Sequence, residues 1–152
     1  MENSVIKSFK GRYDFLSNLY RCDIEVEGIV YPSVEHAFQA LKSNDPAIRK
    51  KIAETSTAST ATFLGKNLKI KDDWDIVRVD VMRELLRKKF AIKALRDRLL
   101  SCGDVLFVEG NTYHDNFWGS CTCPQCGNKG KNMLGTLLHV IRWEIKKEMG
   151  NV

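Results

Sequence analysis

The segment from Val108 to Gly119 places reactive polar side chains among aromatic ones. Within these twelve residues it holds two carboxylates, one imidazole, two asparagine amides and three aromatic rings: Glu109, Asp115, His114, Asn111, Asn116, Tyr113, Phe117 and Trp118. A core segment does not concentrate polar groups in this way, because each buried polar group needs a hydrogen-bond partner. Flat apolar walls with a few directed polar groups are typical of a small-molecule pocket. The segment is therefore the first candidate active site.

The second candidate is one face of a helix predicted to begin after Ser33. Glu35, Gln39 and Lys42 follow one another at i, i+4 and i+7, so they share a helix face, and His36 is adjacent. An acid in the first turn also complements the helix dipole, but this alternative explains only Glu35. For the row as a whole, a structural and a functional interpretation both remain open.

Two other segments carry candidate ligand contacts. Asn18 lies among apolar residues, where packing and ligand contact fit it equally well, since a buried amide needs partners. Residues 130–135 lead into the last predicted helix, where outward-pointing backbone N–H groups are expected to form a cradle for a phosphate or carboxylate. The alternative is that Asn132 serves only as the helix N-cap.

The cysteines indicate a reducing compartment. There are five of them: Cys22, Cys102, Cys121, Cys123 and Cys126. An odd number, in a chain whose first residues lack the features of a signal peptide, argues against a disulfide framework. The C-x-C-x-x-C spacing of residues 121–126 resembles half a zinc site, with His114 as a fourth ligand. Because a second ligand pair is missing, we expect free thiols, no metal and no cofactor, with a structural zinc at these four residues as the alternative.

Length and charge restrict the class of protein. A chain of 152 residues suits a single domain over residues 1–152, and it has no apolar run of about 18 residues that would span a membrane. We therefore expect a cytoplasmic protein without a membrane partner. Residues 66–98 hold eleven Lys and Arg against six Asp and Glu, a surplus equal to the net charge of +5. This stretch suits either an anionic ligand or a solvated helix face with i,i+4 ion pairs.

Hydrophobic periodicity and turn signals predict the elements that position these residues. We predict a β-hairpin over 23–31 that turns at Glu27-Gly28, and a short buried strand over 105–108. Helices are predicted from Ser33 to Leu41, from Pro46 to Ile52, over 56–64 with an end at Gly65, from Asp73 onward, over 92–101 and over 132–148. In the helix that begins at Asp73, we expect the core face to carry Val77, Val81, Leu85 and Phe90. Residues 110–131 are predicted to form a long loop, and the architecture is α+β: a single compact, mainly helical domain with a small hairpin or sheet.

Several segments together resemble one known family. They are Phe15-Leu16-Ser17-Asn18, Ser33-Val34-Glu35-His36-Ala37-Phe38-Gln39, Asp73-Trp74 with Val81-Met82 and Lys89-Phe90, Val108-Glu109-Gly110-Asn111 with His114-Asp115 and Phe117-Trp118-Gly119, and Gly130-Lys131-Asn132-Met133-Leu134-Gly135. These motifs and their order along the chain resemble those of the NADAR/YbiA-like N-glycosidases. The resemblance extends from about Phe9 to Arg142. The resemblance implies hydrolysis of an N-glycosidic bond in ADP-ribose-related or ribosylamino-pyrimidine phosphate substrates. It also implies a small-molecule nucleotide-sugar partner, or ADP-ribosylated nucleic acid from which ADP-ribose is removed at a modified guanine.

Cleavage of an N-glycosidic bond calls for a carboxylate near the sugar and an acid near the departing base. We expect Glu35 and Asp115 to share these roles around one sugar, in either order, with Glu109 as the third candidate because it could equally pin the loop backbone. Lys42 is expected either to form a Schiff base with a ring-opened sugar or to bind phosphate. The remaining expected substrate contacts are Asn18, His36, Gln39, Trp74, Trp118, Gly119, Asn132 and Gly135, and Trp74 has helix anchoring in the core as an alternative. The competing class is a non-catalytic module that binds ADP-ribose or nucleic acid and carries a small zinc knuckle.

Overall fold

The computed structural model describes residues 4–150 and divides the chain into two compact units. The first unit comprises residues 1–17 and 93–152, and the second comprises residues 18–92. Each unit is described by itself below. Residues 1–3, on which part of the signal-peptide prediction depends, lie outside the described range. None of the described helices is long and apolar enough to cross a membrane.

The elements of residues 4–150 are helices joined by loops and three short two-stranded sheets. In chain order they are β1 (Val5–Ile6), a 3₁₀ helix (Gly11–Leu16), β2 (Ile24–Val26), β3 (Ile29–Tyr31), α1 (Val34–Ala40), α2 (Pro46–Ala53), α3 (Ala58–Lys66), α4 (Trp74–Phe90), α5 (Lys93–Ser101), β4 (Leu106–Phe107), β5 (Gly110–Asn111), β6 (Ser120–Cys121) and α6 (Met133–Glu148). The expected α+β class, mainly helical with small sheets, is confirmed.

The second unit begins with the predicted hairpin. β2 and β3 pair antiparallel, with Ile24 opposite Tyr31. Glu27 and Gly28 both have positive φ, at 51° and 84°, as the two central residues of a type I′ turn require. The hairpin prediction is therefore confirmed, and it leads directly into α1.

Three capped helices follow the hairpin, and α1 packs against α2, α3 and α4. The side chains of Ser33, Asp45 and Thr57 accept backbone N–H groups at the starts of α1, α2 and α3. Each cap satisfies one N–H that the helix itself leaves unbonded. As a result α1, seven residues long, is fixed at its first turn, where Glu35 lies.

The first unit is organised around β4 and α6. β4 pairs in parallel with β1, β5 pairs in parallel with β6, and α6 packs against β4. The predicted apolar face of α6 is confirmed, because its core residues are buried: Leu134, Leu137, Leu138, Ile141 and Ile145. The loop predicted over 110–131 is interrupted by the β5–β6 pairing, which places residues 110–111 beside residues 120–121.

Some sequence predictions are wrong in detail. α3 does not end at Gly65 but continues to Lys66, and Gly65 is buried against Gln39. In α4 the buried face is rotated from the expected one, and its members are Trp74, Met82, Leu85, Leu86, Lys89 and Phe90. β4 is only half buried, since Leu106 is 43% exposed while Phe107 is fully buried. β1 and the 3₁₀ helix carry too few residues to give a periodic signal, and they were not predicted.

Candidate functional site

In the second unit, Glu35 is held by two hydrogen-bond donors on one oxygen. Gln39 Nε2 lies 2.7 Å and Thr62 Oγ1 lies 2.8 Å from Glu35 Oε1. Both donors reach Oε1, and no other described residue donates to Oε2. The carboxylate therefore has a fixed orientation with one oxygen left for another group. Thr62 belongs to α3, and no spacing rule in the sequence links it to Glu35, so sequence reasoning missed it.

Two amide oxygens near this carboxylate have no hydrogen-bond partner among the described residues. They are Oε1 of Gln39, whose side chain is 6% exposed, and Oδ1 of Asn18. The other ends of both amides are engaged, since Asn18 Nδ2 contacts Met82 Sδ at 3.6 Å and Gln39 Nε2 donates to Glu35. A buried acceptor without a donor costs about 1–3 kcal/mol. A ligand that donates to these oxygens would remove that cost, which supports the prediction that both residues contact substrate.

Lys42 lies directly after α1 and is partly buried. Burial lowers the pKa of its ammonium group, with a further lowering by Lys66 and an opposing effect of Glu35. Its Nζ makes no hydrogen bond or ion pair within the described part of the chain. We call Glu35, Gln39, Lys42 and Thr62 the α1 cluster. Glu35 and Gln39 share a face of α1 as predicted, whereas α1 ends at Ala40 and Lys42 lies in the turn that follows. The predicted chemistry of this row stays a prediction.

His36 faces the protein with both ring nitrogens engaged. Nε2 lies 3.1 Å from the carbonyl oxygen of Thr55 and must donate to it, so Nδ1 accepts from Ser33 Oγ at 2.7 Å. The side chain is 1% exposed, and burial lowers the pKa of the imidazole. A neutral ring with two protein partners has no nitrogen left for substrate. The geometry therefore favours a structural role for His36 over the predicted contact.

Two further side chains of the second unit are deeply buried. Trp74 is 5% exposed and packs on Phe38 at a ring distance of 5.0 Å, which favours the alternative that it anchors its helix. Lys89 is fully buried, with Nζ 5.7 Å from the Tyr20 ring and 5.3 Å from the Phe90 ring. The sequence places Lys89 in the basic stretch and in a family motif, but its burial was not predicted because the buried face of α4 is rotated from the expected one.

In the first unit, Asp115 shapes the loop that carries Trp118. Its Oδ1 accepts the backbone N–H groups of Phe117 at 3.2 Å and of Trp118 at 3.0 Å. Asn111 holds the same residue from the other side, because its Nδ2 donates to the Asp115 carbonyl at 2.8 Å. Within the described residues no donor reaches Asp115 Oδ2. One oxygen is therefore structural and the other is available, so the predicted catalytic role stays a prediction.

Glu109 also serves the loop backbone. Its carbonyl accepts the N–H of Ser120 at 2.9 Å, and its Oε1 accepts the Tyr113 hydroxyl at 3.1 Å. A Cβ atom at Gly119 would collide with both the carboxylate and the carbonyl oxygen of Glu109. Gly119 is thus required for close approach of β5 and β6. These contacts favour the alternative that Glu109 and Gly119 hold the loop, and their contact with substrate stays a prediction.

The start of α6 does not form the expected anion cradle. The backbone N–H groups of Lys131, Asn132, Met133 and Leu134 donate to the carbonyl groups of residues 116, 119, 117 and 118. These donors are therefore satisfied by the loop and do not point outward. The prediction of a phosphate or carboxylate site at this helix end is wrong, because the loop folds back over these N–H groups and accepts their hydrogen bonds.

Asn132 and Gly135 fix α6 to β4. Asn132 occupies the N-cap position with φ of 51°, but its side chain does not cap. Instead Oδ1 accepts the N–H of Glu109 and Nδ2 donates to the carbonyl of Phe107. A Cβ atom at Gly135 would collide with that same carbonyl oxygen. Asn132 is therefore engaged by the backbone around β4, and Gly135 is required for the close approach of α6 to β4. The contact of either residue with substrate stays a prediction.

Trp118 keeps part of its surface exposed and meets Phe117 edge to face, with ring centroids 4.8 Å apart. The backbone bonds around Asp115 and α6 fix the chain on both sides of this pair. A rigidly held, partly exposed indole suits stacking on a base or a ribose. Stacking of Trp118 on substrate stays a prediction.

The same loop brings the three clustered cysteines and one histidine together. His114 Nδ1 lies 3.3 Å from Cys126 Sγ, 3.5 Å from Cys123 Sγ and 3.8 Å from Cys121 Sγ. Hydrogen bonds from the Cys123 backbone, the His114 backbone and the neighbouring thiols lower the pKa of Cys121 to about 6. The geometry favours the zinc alternative that the sequence left open over free thiols.

Comparison with known proteins gives a consistent result. A family model described as the NADAR domain matches residues 6–146. The N-glycosidase Npun_R5314 of Nostoc punctiforme is 39% identical over 142 residues, which cover 88% of this chain and 86% of that protein. The riboflavin biosynthesis protein VVA0006 of Vibrio vulnificus is 34% identical over 138 residues, which cover 89% of this chain but only 36% of that protein.

A solved structure supports the fold as well. The NMR structure of the E. coli protein YbiA matches with a TM-score of 0.83 at 33% sequence identity, and the match covers 100% of this chain and 90% of that one. The resemblance read from the sequence motifs is confirmed by the family model and by this structural match.

Proposed function

This chain belongs to the NADAR domain family, and we propose on that premise that it is an N-glycosidase for a phosphorylated ribose linked to a nitrogen base. The substrate class is an ADP-ribose-related nucleotide sugar or a ribosylamino-pyrimidine phosphate, and the relative named for riboflavin biosynthesis favours including the second. ADP-ribosylated guanine in nucleic acid belongs to the same chemical class. A reducing cytoplasmic location suits the five free cysteines.

The observation that carries this proposal is the α1 cluster. It combines a carboxylate fixed by two donors, an amide with an unpartnered buried oxygen and, just beyond the end of α1, an amine of lowered pKa. Such groups match what breaking the bond requires, because positive charge develops on the anomeric carbon as the base leaves. The α1 cluster supplies an anion for that charge and polar groups to hold the sugar hydroxyls.

The role of Glu35 follows from its hydrogen bonds. Because Oε1 already accepts hydrogen bonds from Gln39 and Thr62, Oε2 is the oxygen left to interact with a ligand. There it stabilises an oxocarbenium-like sugar or activates the attacking water, as carboxylates do in glycoside hydrolysis. The amide oxygens of Gln39 and Asn18 accept hydrogen bonds from hydroxyl groups of the ribose.

A substrate screen tests the function directly. ADP-ribosylated guanosine, ribosylamino-uracil phosphate and ADP-ribose are each incubated with the purified chain, and the products are identified by mass spectrometry. We expect release of the free base together with the sugar phosphate or ADP-ribose from at least one of them. Binding of every compound without release would instead establish the competing class, a non-catalytic module.

Asp115 is proposed as a further catalytic carboxylate. Substitution by asparagine distinguishes the proposed catalytic role of its charge from the structural role of Oδ1. Asp115→Asn keeps an acceptor for the N–H groups of Phe117 and Trp118 but removes the charge. We expect kcat/KM to fall about 10²-fold, the usual scale for an acid or base group, with the thermal unfolding temperature unchanged.

The matched control is Asp104→Asn, which alters an exposed carboxylate paired with Lys146 in the same unit. It should leave kcat/KM at the wild-type value. If Asp115→Asn is equally active while Asp115→Ala is slow, the residue only shapes the loop and the catalytic assignment fails.

A further inference from the structure

We propose that His114, Cys121, Cys123 and Cys126 bind one zinc ion in a closed, structural site. Their ligand atoms all lie within 4.8 Å of one another. Three thiolates and one imidazole are a ligand set that structural zinc sites use, and such sites are four-coordinate and tetrahedral. None of these four residues belongs to the α1 cluster, so the zinc site does not depend on the proposed N-glycosidase activity.

The distances fit a tetrahedron around zinc. Zinc lies about 2.3 Å from sulfur and about 2.0–2.1 Å from histidine nitrogen, so the nitrogen-to-sulfur edge of a regular tetrahedron is about 3.6 Å. The three edges from His114 Nδ1 measure 3.3, 3.5 and 3.8 Å. These edges are close to that value and all four ligand atoms lie within 4.8 Å of one another, so the cluster approximates the ligand shell of a single zinc ion.

The backbone around Cys123 and Cys126 is folded to present two sulfur atoms to the same point. The N–H of Cys126 points at Cys123 Sγ at 3.4 Å, and the N–H of Gly127 donates to the Cys123 carbonyl at 2.9 Å. Gly127 and Asn128 then take positive φ values of 63° and 57°, which turn the chain back toward Cys121. The N–H of Asn128 closes the turn on the Cys121 carbonyl at 3.0 Å.

Asn116 supports the cluster from outside the ligand set. Its Nδ2 lies 3.2 Å from Cys126 Sγ, and its Oδ1 accepts the N–H of Cys121 at 2.9 Å. Three thiolates with one divalent ion leave a net charge of −1, and donors to sulfur stabilise that charge. His114 also takes a left-handed backbone conformation, with φ of 65°, that a non-glycine residue adopts at a cost. Ligation of its ring gives that strained conformation a physical reason.

The zinc ion would close the loop that carries Asp115 and Trp118. His114 precedes these two residues and the three cysteines follow them, so a common ion joins both sides of the segment. All four coordination positions are filled by the protein, which leaves none for water or substrate. The ion therefore stabilises the loop and takes no part in bond cleavage.

Metal analysis of the purified chain tests the site without any substrate. The protein is prepared in reductant and without an affinity tag that binds metal. Its zinc content is measured by inductively coupled plasma mass spectrometry. We expect about one zinc per chain, retained on dialysis and released when the thiols are modified. Cobalt reconstitution of the metal-free protein should give the intense visible bands of a tetrahedral thiolate site.

Serine variants locate the ion and provide the controls. Cys123→Ser and Cys126→Ser should lower the zinc content to near zero, whereas Cys22→Ser and Cys102→Ser should keep the wild-type content, because those thiols lie outside the cluster. Zinc-free wild-type protein that stays zinc-free after reconstitution overturns the proposal. So does retention of full zinc content in both Cys123→Ser and Cys126→Ser. If those variants do not fold, zinc content and cobalt spectra of the wild-type chain still decide.

Discussion

Replacement of Lys42 by arginine is expected to lower kcat/KM by about 10³-fold or more, because loss of a nucleophile costs more than loss of an acid or base group. The substitution keeps a positive charge at the end of a long side chain. It removes the ability to lose a proton, since a guanidinium stays charged in proteins. The variant thus separates a lysine that reacts from a lysine that only binds phosphate.

The lowered pKa of Lys42 is a property that the reacting form requires. Burial lowers the pKa of Lys42, so a larger share of the amine is neutral near neutral pH than for an exposed lysine. A neutral amine can bond to the anomeric carbon while the bond from that carbon to the base breaks and its electrons leave with the base. Ring opening then gives an imine, which water hydrolyses to release the sugar and the lysine. Activity by this route should rise as pH increases through the lowered pKa.

Borohydride trapping identifies the intermediate. The reagent reduces an imine to a stable secondary amine, so the wild-type chain mixed with substrate and borohydride should gain the mass of the sugar fragment on Lys42. Lys66→Arg is the matched control, because Lys66 is an exposed neighbour that influences the same amine. It should be trapped and should turn over like the wild type. An active Lys42→Arg variant, together with no trapped species in the wild type, would assign Lys42 to phosphate binding.

The α1 cluster could be predicted largely from the sequence, because its geometry is local. Glu35 and Gln39 are related by helical spacing alone, so their shared face follows from the period of the helix. Lys42 lies in the turn beyond Ala40, where the helical period no longer fixes its position. Thr62 could not be predicted, since α3 meets α1 through tertiary packing that spacing does not encode. The same limit applies to Lys89, which the rotation of α4 buries.

The loop over residues 108–119 was identified from its composition, but most of its polar groups turned out to bond the backbone. Asn132, Gly119 and Gly135 are expected as ligand contacts from their positions in the family motifs. Their actual task is close approach, which depends on the parallel β5–β6 pairing and on the fold of the loop over α6. Such long-range pairing of two-residue strands leaves almost no periodic signal in a sequence.

Most polar groups of the loop over residues 108–119 bond the backbone, whereas the carboxylate of Glu35 in the α1 cluster accepts hydrogen bonds from two side chains. We therefore expect substitution of Glu35 to have a larger effect than substitution of a carboxylate in that loop. Glu35→Gln should lower kcat/KM by about 10²–10³-fold, because an amide cannot stabilise the developing positive charge or take a proton from water. The fold should remain intact, since the glutamine side chain keeps an oxygen that can accept from Gln39 and Thr62. The measurements are steady-state kinetics on the substrate found in the screen and the thermal unfolding temperature.

Two further variants decide whether the carboxylate acts through its charge and orientation. Thr62→Val removes one of the two donors that fix Oε1. It should lower kcat about 10-fold with little change in KM, because one hydrogen bond of roughly 1.5 kcal/mol is lost. Glu25→Gln alters an exposed glutamate in the same unit and should behave as the wild type. If Glu35→Gln turns over at the wild-type rate, the α1 cluster is not the catalytic centre, whatever the outcome at Lys42. If Glu35→Gln is slow but Thr62→Val is unaffected, the charge of Glu35 matters and the donors that orient it do not.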